Sequence, residues 1–151
     1  MPDTSPKAPD EIAEGLLRGG VELTLVGRGR SMWPVIAPLD RVVARRAGSP
    51  RRGDIVVLRT RGGIVTHRVV ALLADPARLV TRGDWLDQDD EPVSERDLLA
   101  IVHSIAKRRV TIDLRTLRGA IMHRALFDLA RVLRIPAVRR VGRALKRIWR
   151  D

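Results

Sequence analysis

The chain has no cysteine, which excludes disulfides and thiolate metal sites and leaves the compartment unreadable from redox chemistry. Aromatic residues are nearly as scarce, with one Phe, three Trp and no Tyr, so a stacking surface for single-stranded nucleic acid is poorly supplied. No apolar run reaches the roughly 18 to 20 uncharged residues of a membrane span, because an arginine or aspartate interrupts each one. The stretch from Met1 to Asp10 is polar and proline-rich with no apolar segment behind it; no signal peptide is expected, and the chain is assigned to the cytoplasm. A Walker loop, a dinucleotide fingerprint and H-E-x-x-H are also missing. Neither a metal nor an organic cofactor is expected.

What is present in excess is positive charge, and it is unevenly placed. Of the 29 Lys and Arg in 151 residues, 14 fall between Ile105 and Asp151 against three acids, whereas the first 104 residues balance at 15 and 15. The whole net charge of +11 therefore belongs to the last third, which points to an anionic partner for a basic tail.

Along the chain, Ile12, Ala13, Leu16 and Leu17 recur at helical spacing between Asp10 and Gly19-Gly20, which predicts a short helix. The alternating run Val21 to Val26 predicts a first strand. Further strands are predicted at 41–45, 55–59, 64–73 and 78–82, with one or two more from Leu98 to Ala106 and from Arg109 to Leu114. Turn signals separate them roughly every 8 to 15 residues, and Arg61-Gly62-Gly63 reads as a hairpin. The pattern predicts a tail and helix over 1–19, a mainly β, antiparallel domain over 20–113 and a basic helical region over 114–151.

Two C-terminal helices are expected. Residues 114–133 carry apolar residues on most of their circumference, so that segment is expected to pack on the body. From Pro136 the pattern sharpens. Val138, Val141, Ala144, Leu145, Ile148 and Trp149 share an arc of about 140°, and Arg139, Arg140, Arg143, Lys146, Arg147 and Arg150 fill the other side. A basic amphipathic helix of this kind suits an anionic membrane surface with Trp149 at the interface, a groove on a protein partner or, less well, nucleic acid. It equally describes a helix that covers its own core and leaves a basic face in water.

The candidate chemistry centres on Gly27-Arg28-Gly29-Arg30-Ser31-Met32-Trp33-Pro34. A serine on a loop leaving a strand presents its hydroxyl and a backbone N–H toward one point, as acyl transfer requires. Taken singly, His67, His103 and His123 read as satisfied core or edge histidines, and Asp84, Asp87, Asp89 and Asp90 as a solvated turn. Their order along the chain changes that reading.

Ser31-Met32-Trp33-Pro34, Arg52-Gly53-Asp54-Ile55-Val56, Thr66-His67-Arg68-Val69-Val70 and Thr81-Arg82-Gly83-Asp84 with Asp89-Asp90-Glu91-Pro92-Val93 form a succession of boxes over roughly residues 21 to 105. In that succession the chain resembles the serine peptidases of the type I signal peptidase and LexA-like group. With His67 where many of those peptidases carry lysine, it resembles the branch typified by endoplasmic-reticulum and archaeal signal peptidases. The resemblance implies that fold, with Ser31 as nucleophile, His67 as general base and Asp90 as the carboxylate that orients the ring. Asp84 is the competing or supporting acid. It also places Met32, Trp33 and Pro34 against substrate and leaves the oxyanion to the Ser31 N–H and one further donor; Trp85, which the family pattern does not supply, is expected either in the substrate wall or as an exposed apolar plug.

Three positions depart from the family pattern. Gly29 stands where relatives carry a serine that assists the oxyanion hole, Trp85-Leu86 follows Gly83-Asp84, and Leu39-Asp40 replaces a Gly-Asp turn. The expected function is a soluble processing or leader peptidase that forms an acyl-enzyme on Ser31. The alternative is an inactive β-module that binds membrane, nucleic acid or protein through its tail.

Overall fold

The computed structural model describes residues 9–46, 48–74 and 77–116, together with seven positions between 118 and 132. Helix α1, Pro9–Arg18, opens with Asp10 and Glu11 near its positive end and closes with Arg18 near its negative one. Leu17 on its inner face is fully buried, and Glu14 is ion-paired to Arg18 and Arg59.

Eight antiparallel strands follow: β1 Leu23–Val26, β2 Arg41–Arg45, β3 Ile55–Thr60, β4 Gly63–Ala74, β5 Ala77–Arg82, β6 Val93–Ser94, β7 Leu98–Ala106 and β8 Thr111–Asp113. They form one sheet in the order β1-β2-β7-β3-β4-β5-β6, with β8 on β7. The described residues are thus mainly β, with α1 beside an antiparallel sheet. Since β2 takes one edge of β7 along 101–106, β3 and β8 share the other, β3 at 98–101 and β8 at 104–106.

The β-branched run of β3 explains its central place. Ile55 and Val57 join the larger core with Leu17, Val42, Leu99 and Ile105, whereas Val56 and Leu58 face a second cluster with Val69 and Leu79. A strand buried on both faces reads as a continuous apolar run rather than an alternating one. Thr60 pairs with Gly63 across a two-residue turn, as the Arg61-Gly62-Gly63 signal predicts.

Differences from the sequence reading are small. Val21 and Glu22 precede β1 as exposed residues outside the ladder, and the two-residue β6 with its 3-10 turn, Glu95–Asp97, carries no pattern of its own. The positions described between 118 and 132 are helical and exposed, Ile121, Leu129 and Val132 included. Leu114 packs against the main core, and the other positions on which the expected packing of 114–133 would rest lie outside the described residues. The second C-terminal helix, with Arg139, Arg140, Arg143, Lys146, Arg147 and Trp149, lies outside the described residues. No described helix is long and apolar enough to cross a membrane.

Candidate active site

Ser31 sits on an excursion from the sheet whose two ends are tied at Gly27. The Gly27 N–H donates to the Asp40 carbonyl, and its own carbonyl accepts from the Leu39 N–H, both at 2.8 Å. A Cβ at position 27 would lie 2.9 Å from the Ala37 carbonyl oxygen, so glycine permits this closure and a larger residue does not. Leu39 turns the chain back with φ of 72°, a conformation that glycine adopts without cost and a branched side chain does not. Leu39 therefore holds a backbone angle that favours glycine.

The loop is also pegged from inside. Met32, Val35 and Ile36 are buried in the main core, and the Ile36 N–H donates to the Met32 carbonyl at 2.8 Å. Asp40 Oδ2 accepts the Ala37 N–H at 2.7 Å and Lys107 Nζ at 2.6 Å, and the same ammonium reaches the Pro34 carbonyl at 3.3 Å. Ser31 is thus half-buried on a fixed turn.

His67 lies on β4 opposite Val56 and is buried. Its Nδ1 is 2.6 Å from Asp90 Oδ2, the oxygen that also accepts the Thr81 hydroxyl at 2.7 Å. Asp90 is held a second time through its backbone, whose N–H donates to the Thr81 carbonyl at 2.7 Å. With both ends of Asp90 tied to β5, the carboxylate meets the ring at a fixed angle and selects the tautomer with its proton on Nδ1. Nε2 carries no hydrogen bond to any described residue.

Asp84 has other work. It accepts Arg68 Nε on Oδ1 at 2.7 Å and Arg68 Nη2 on Oδ2 at 2.5 Å, and Arg68 Nη1 donates to the Gly53 carbonyl at 2.8 Å. The R-G-D box is thereby a turn, closed by Asp54 Oδ2 accepting the Arg51 N–H and tied to β4 through Gly53 and Val69. The Gly83-Asp84-Trp85 corner lies directly on the serine. The Trp85 N–H donates to the Ser31 carbonyl at 2.7 Å, and a Cβ at position 83 would lie 2.7 Å from that oxygen.

Ser31 and His67 line one cavity of about 520 Å³, with Thr24 to Gly29 on one side, Ile64 to Thr66 on another and Asp10 and Ala13 of α1 at its rim. No hydrogen bond joins the Ser31 hydroxyl to His67 among the described residues. The Ser31 N–H donates to no other backbone group described. Of the four side chains expected against substrate, Met32 lines the cavity while Trp33, Pro34 and Trp85 stand outside its wall. Trp33 and Trp85 pack edge to face, with centroids 4.7 Å apart. Among the described residues no group of three or more acidic, His or Cys side chains is placed to hold a metal ion.

Two contributors had no role assigned from sequence, although both stood inside quoted boxes. Thr81 is a hydroxyl donor hidden in a β-strand pattern, and Arg68 looked like one more arginine in a basic chain. His103, on β7, is a different case. Its Nε2 is buried without a hydrogen bond among the described residues, and burial foremost, then the charges of Arg45 and Arg115, holds its pKa below the ordinary value. His123 is outside the described residues. No family model matches this sequence, and no curated protein is significantly similar to it.

Proposed function

We propose that the chain is a serine endopeptidase of the signal-peptidase-like fold, a processing peptidase of the cytoplasm that cuts small precursors. Ser31 is the nucleophile, His67 the general base and Asp90 the residue that orients the base. The supporting observation is the contact of 2.6 Å between Asp90 and His67 Nδ1, on a ring that lines the same cavity as Ser31.

The chemistry follows from those positions. His67 Nε2 takes the hydroxyl proton as Ser31 Oγ forms a bond to the scissile carbonyl carbon. Asp90 balances the positive ring that results, and the tetrahedral oxyanion turns to the Ser31 N–H. The ring then gives its proton to the departing amine as the C–N bond breaks; water, losing a proton to the same base, attacks the acyl-serine, and the acyl C–Oγ bond breaks as the ring returns that proton to Ser31 Oγ. Approach of Ser31 Oγ to Nε2 belongs to the substrate complex in this scheme, since hydrogen bonds of this kind tighten there.

A fluorophosphonate probe tests the reading. Wild type is expected to label on one residue, Ser31→Ala to lose all labelling, and Asp90→Asn to label about 10² to 10⁴ times more slowly because the ring loses its tautomer. Folded wild type that does not label, or Ser31→Ala that labels equally, would replace the peptidase with the inactive β-module, the reading favoured by the missing Ser31–His67 hydrogen bond.

A further inference from the structure

Three ionisable residues line the cavity that holds Ser31 and His67, namely Asp10, Arg28 and His67 itself. Two of them are occupied. His67 is held by Asp90, and Asp10 Oδ2 accepts the Ile64 N–H at 3.4 Å. Arg28 is exposed and has neither an ion-pair nor a hydrogen-bond partner among the described residues. Its cavity neighbours Leu25, Val26, Ile64 and Val65 are apolar. A guanidinium stays charged at any ordinary pH and offers a planar fork of donors that fits a carboxylate. A carboxylate arriving with a bound peptide would pair with Arg28 without displacing anything.

Resting on the peptidase reading, we propose that Arg28 selects peptides with an acidic side chain within about three residues of the bond cut. The reach follows from chain geometry. Arg28 lies three positions before Ser31, at most roughly 10 Å away along the chain, which equals about three residues of an extended peptide. The Arg28 head is in water, so the preference is modest and sensitive to salt. About two- to fivefold is the range for an exposed pair, and it shrinks as ionic strength rises.

Binding and cutting are tested separately. The full chain carrying Ser31→Ala is mixed at low salt with a pool of randomised peptides, and the bound fraction is sequenced by mass spectrometry. Enrichment of Asp and Glu by about two- to fivefold is expected. Adding Arg28→Gln should remove it, adding Arg28→Glu should turn it toward Lys and Arg, and adding Arg78→Gln on β5 should leave it unchanged, although the net charge falls equally. Absent enrichment, or equal loss with Arg28→Gln and Arg78→Gln, overturns the role of Arg28. Digestion of the same pool by wild type tests the catalytic reading, so failure to cut with the Arg28-dependent bias intact sinks the peptidase alone.

Discussion

Arg68 and Asp84 meet through two parallel hydrogen bonds, of 2.7 and 2.5 Å, with both side chains almost wholly shielded from water at 6% and 1% exposure. This pair joins β4, one residue beyond the candidate base, to the corner that supports the candidate nucleophile. Taking two charges out of water is expensive, so such a pair contributes order more surely than net stability.

Removal of one partner should therefore be costly. Asp84→Asn or Arg68→Met is expected to lose about 3 to 5 kcal/mol, because a buried charge is left uncompensated. The double change Arg68→Met with Asp84→Leu should recover most of that loss. Urea unfolding of the four proteins measures it, and single variants within about 0.5 kcal/mol of wild type would show that water reaches the pair.

Gly83 is expected to be irreplaceable for a steric reason. A methyl there would lie 2.7 Å from the Ser31 carbonyl oxygen and 2.9 Å from Ser31 Cβ. Gly83→Ala should cost about 1 to 3 kcal/mol through overpacking, and fluorophosphonate labelling of the fraction still folded should slow as Ser31 shifts. Gly62→Ala, whose Cβ would approach nothing closer than 3.9 Å, is the control for a generic glycine effect. Equal melting and labelling of both variants would remove Gly83 from the account.

His103 predicts a pH dependence of stability. Burial, Arg45 and Arg115 hold its pKa below the ordinary 6.5, so the folded state binds a proton there less readily than the unfolded chain does. That contribution is complete above about pH 6.5 and is lost as the pH falls through the folded value. The nearby acids Glu22 and Asp113 oppose the shift without reversing it. Urea midpoints measured from pH 7.5 to 5 should fall less steeply for His103→Gln than for wild type. Parallel curves would mean that the imidazole finds a partner in solution.

The strands were legible where β-branched residues run together between turn signals. β2 and β3 fall within one residue of their predicted bounds, because Val42-Val43 and Ile55-Val56-Val57 have few other conformations that bury them. β6 was not legible. Two residues are too few to show a period, and their pairing depends on β5. At the candidate site, His67 and Asp90, which the resemblance names together, lie in contact across 23 residues of sequence. By contrast, the Arg68–Asp84 pair spans 16 residues and leaves no trace in periodicity or local charge. Leu39 was legible as an oddity, but its cost shows only in a backbone angle.

The place of β7 between β2 and β3 has a consequence during synthesis. Ile55 to Leu58 leave the ribosome about 40 residues before the strand that covers their flank exists, a delay of roughly 2 to 8 s at ordinary elongation rates. Until then the most apolar segment of the body can pair only with its own hairpin partner. A cell making this protein must shelter that ribbon from its neighbours on the polysome, and the demand is set by strand order rather than by any single side chain.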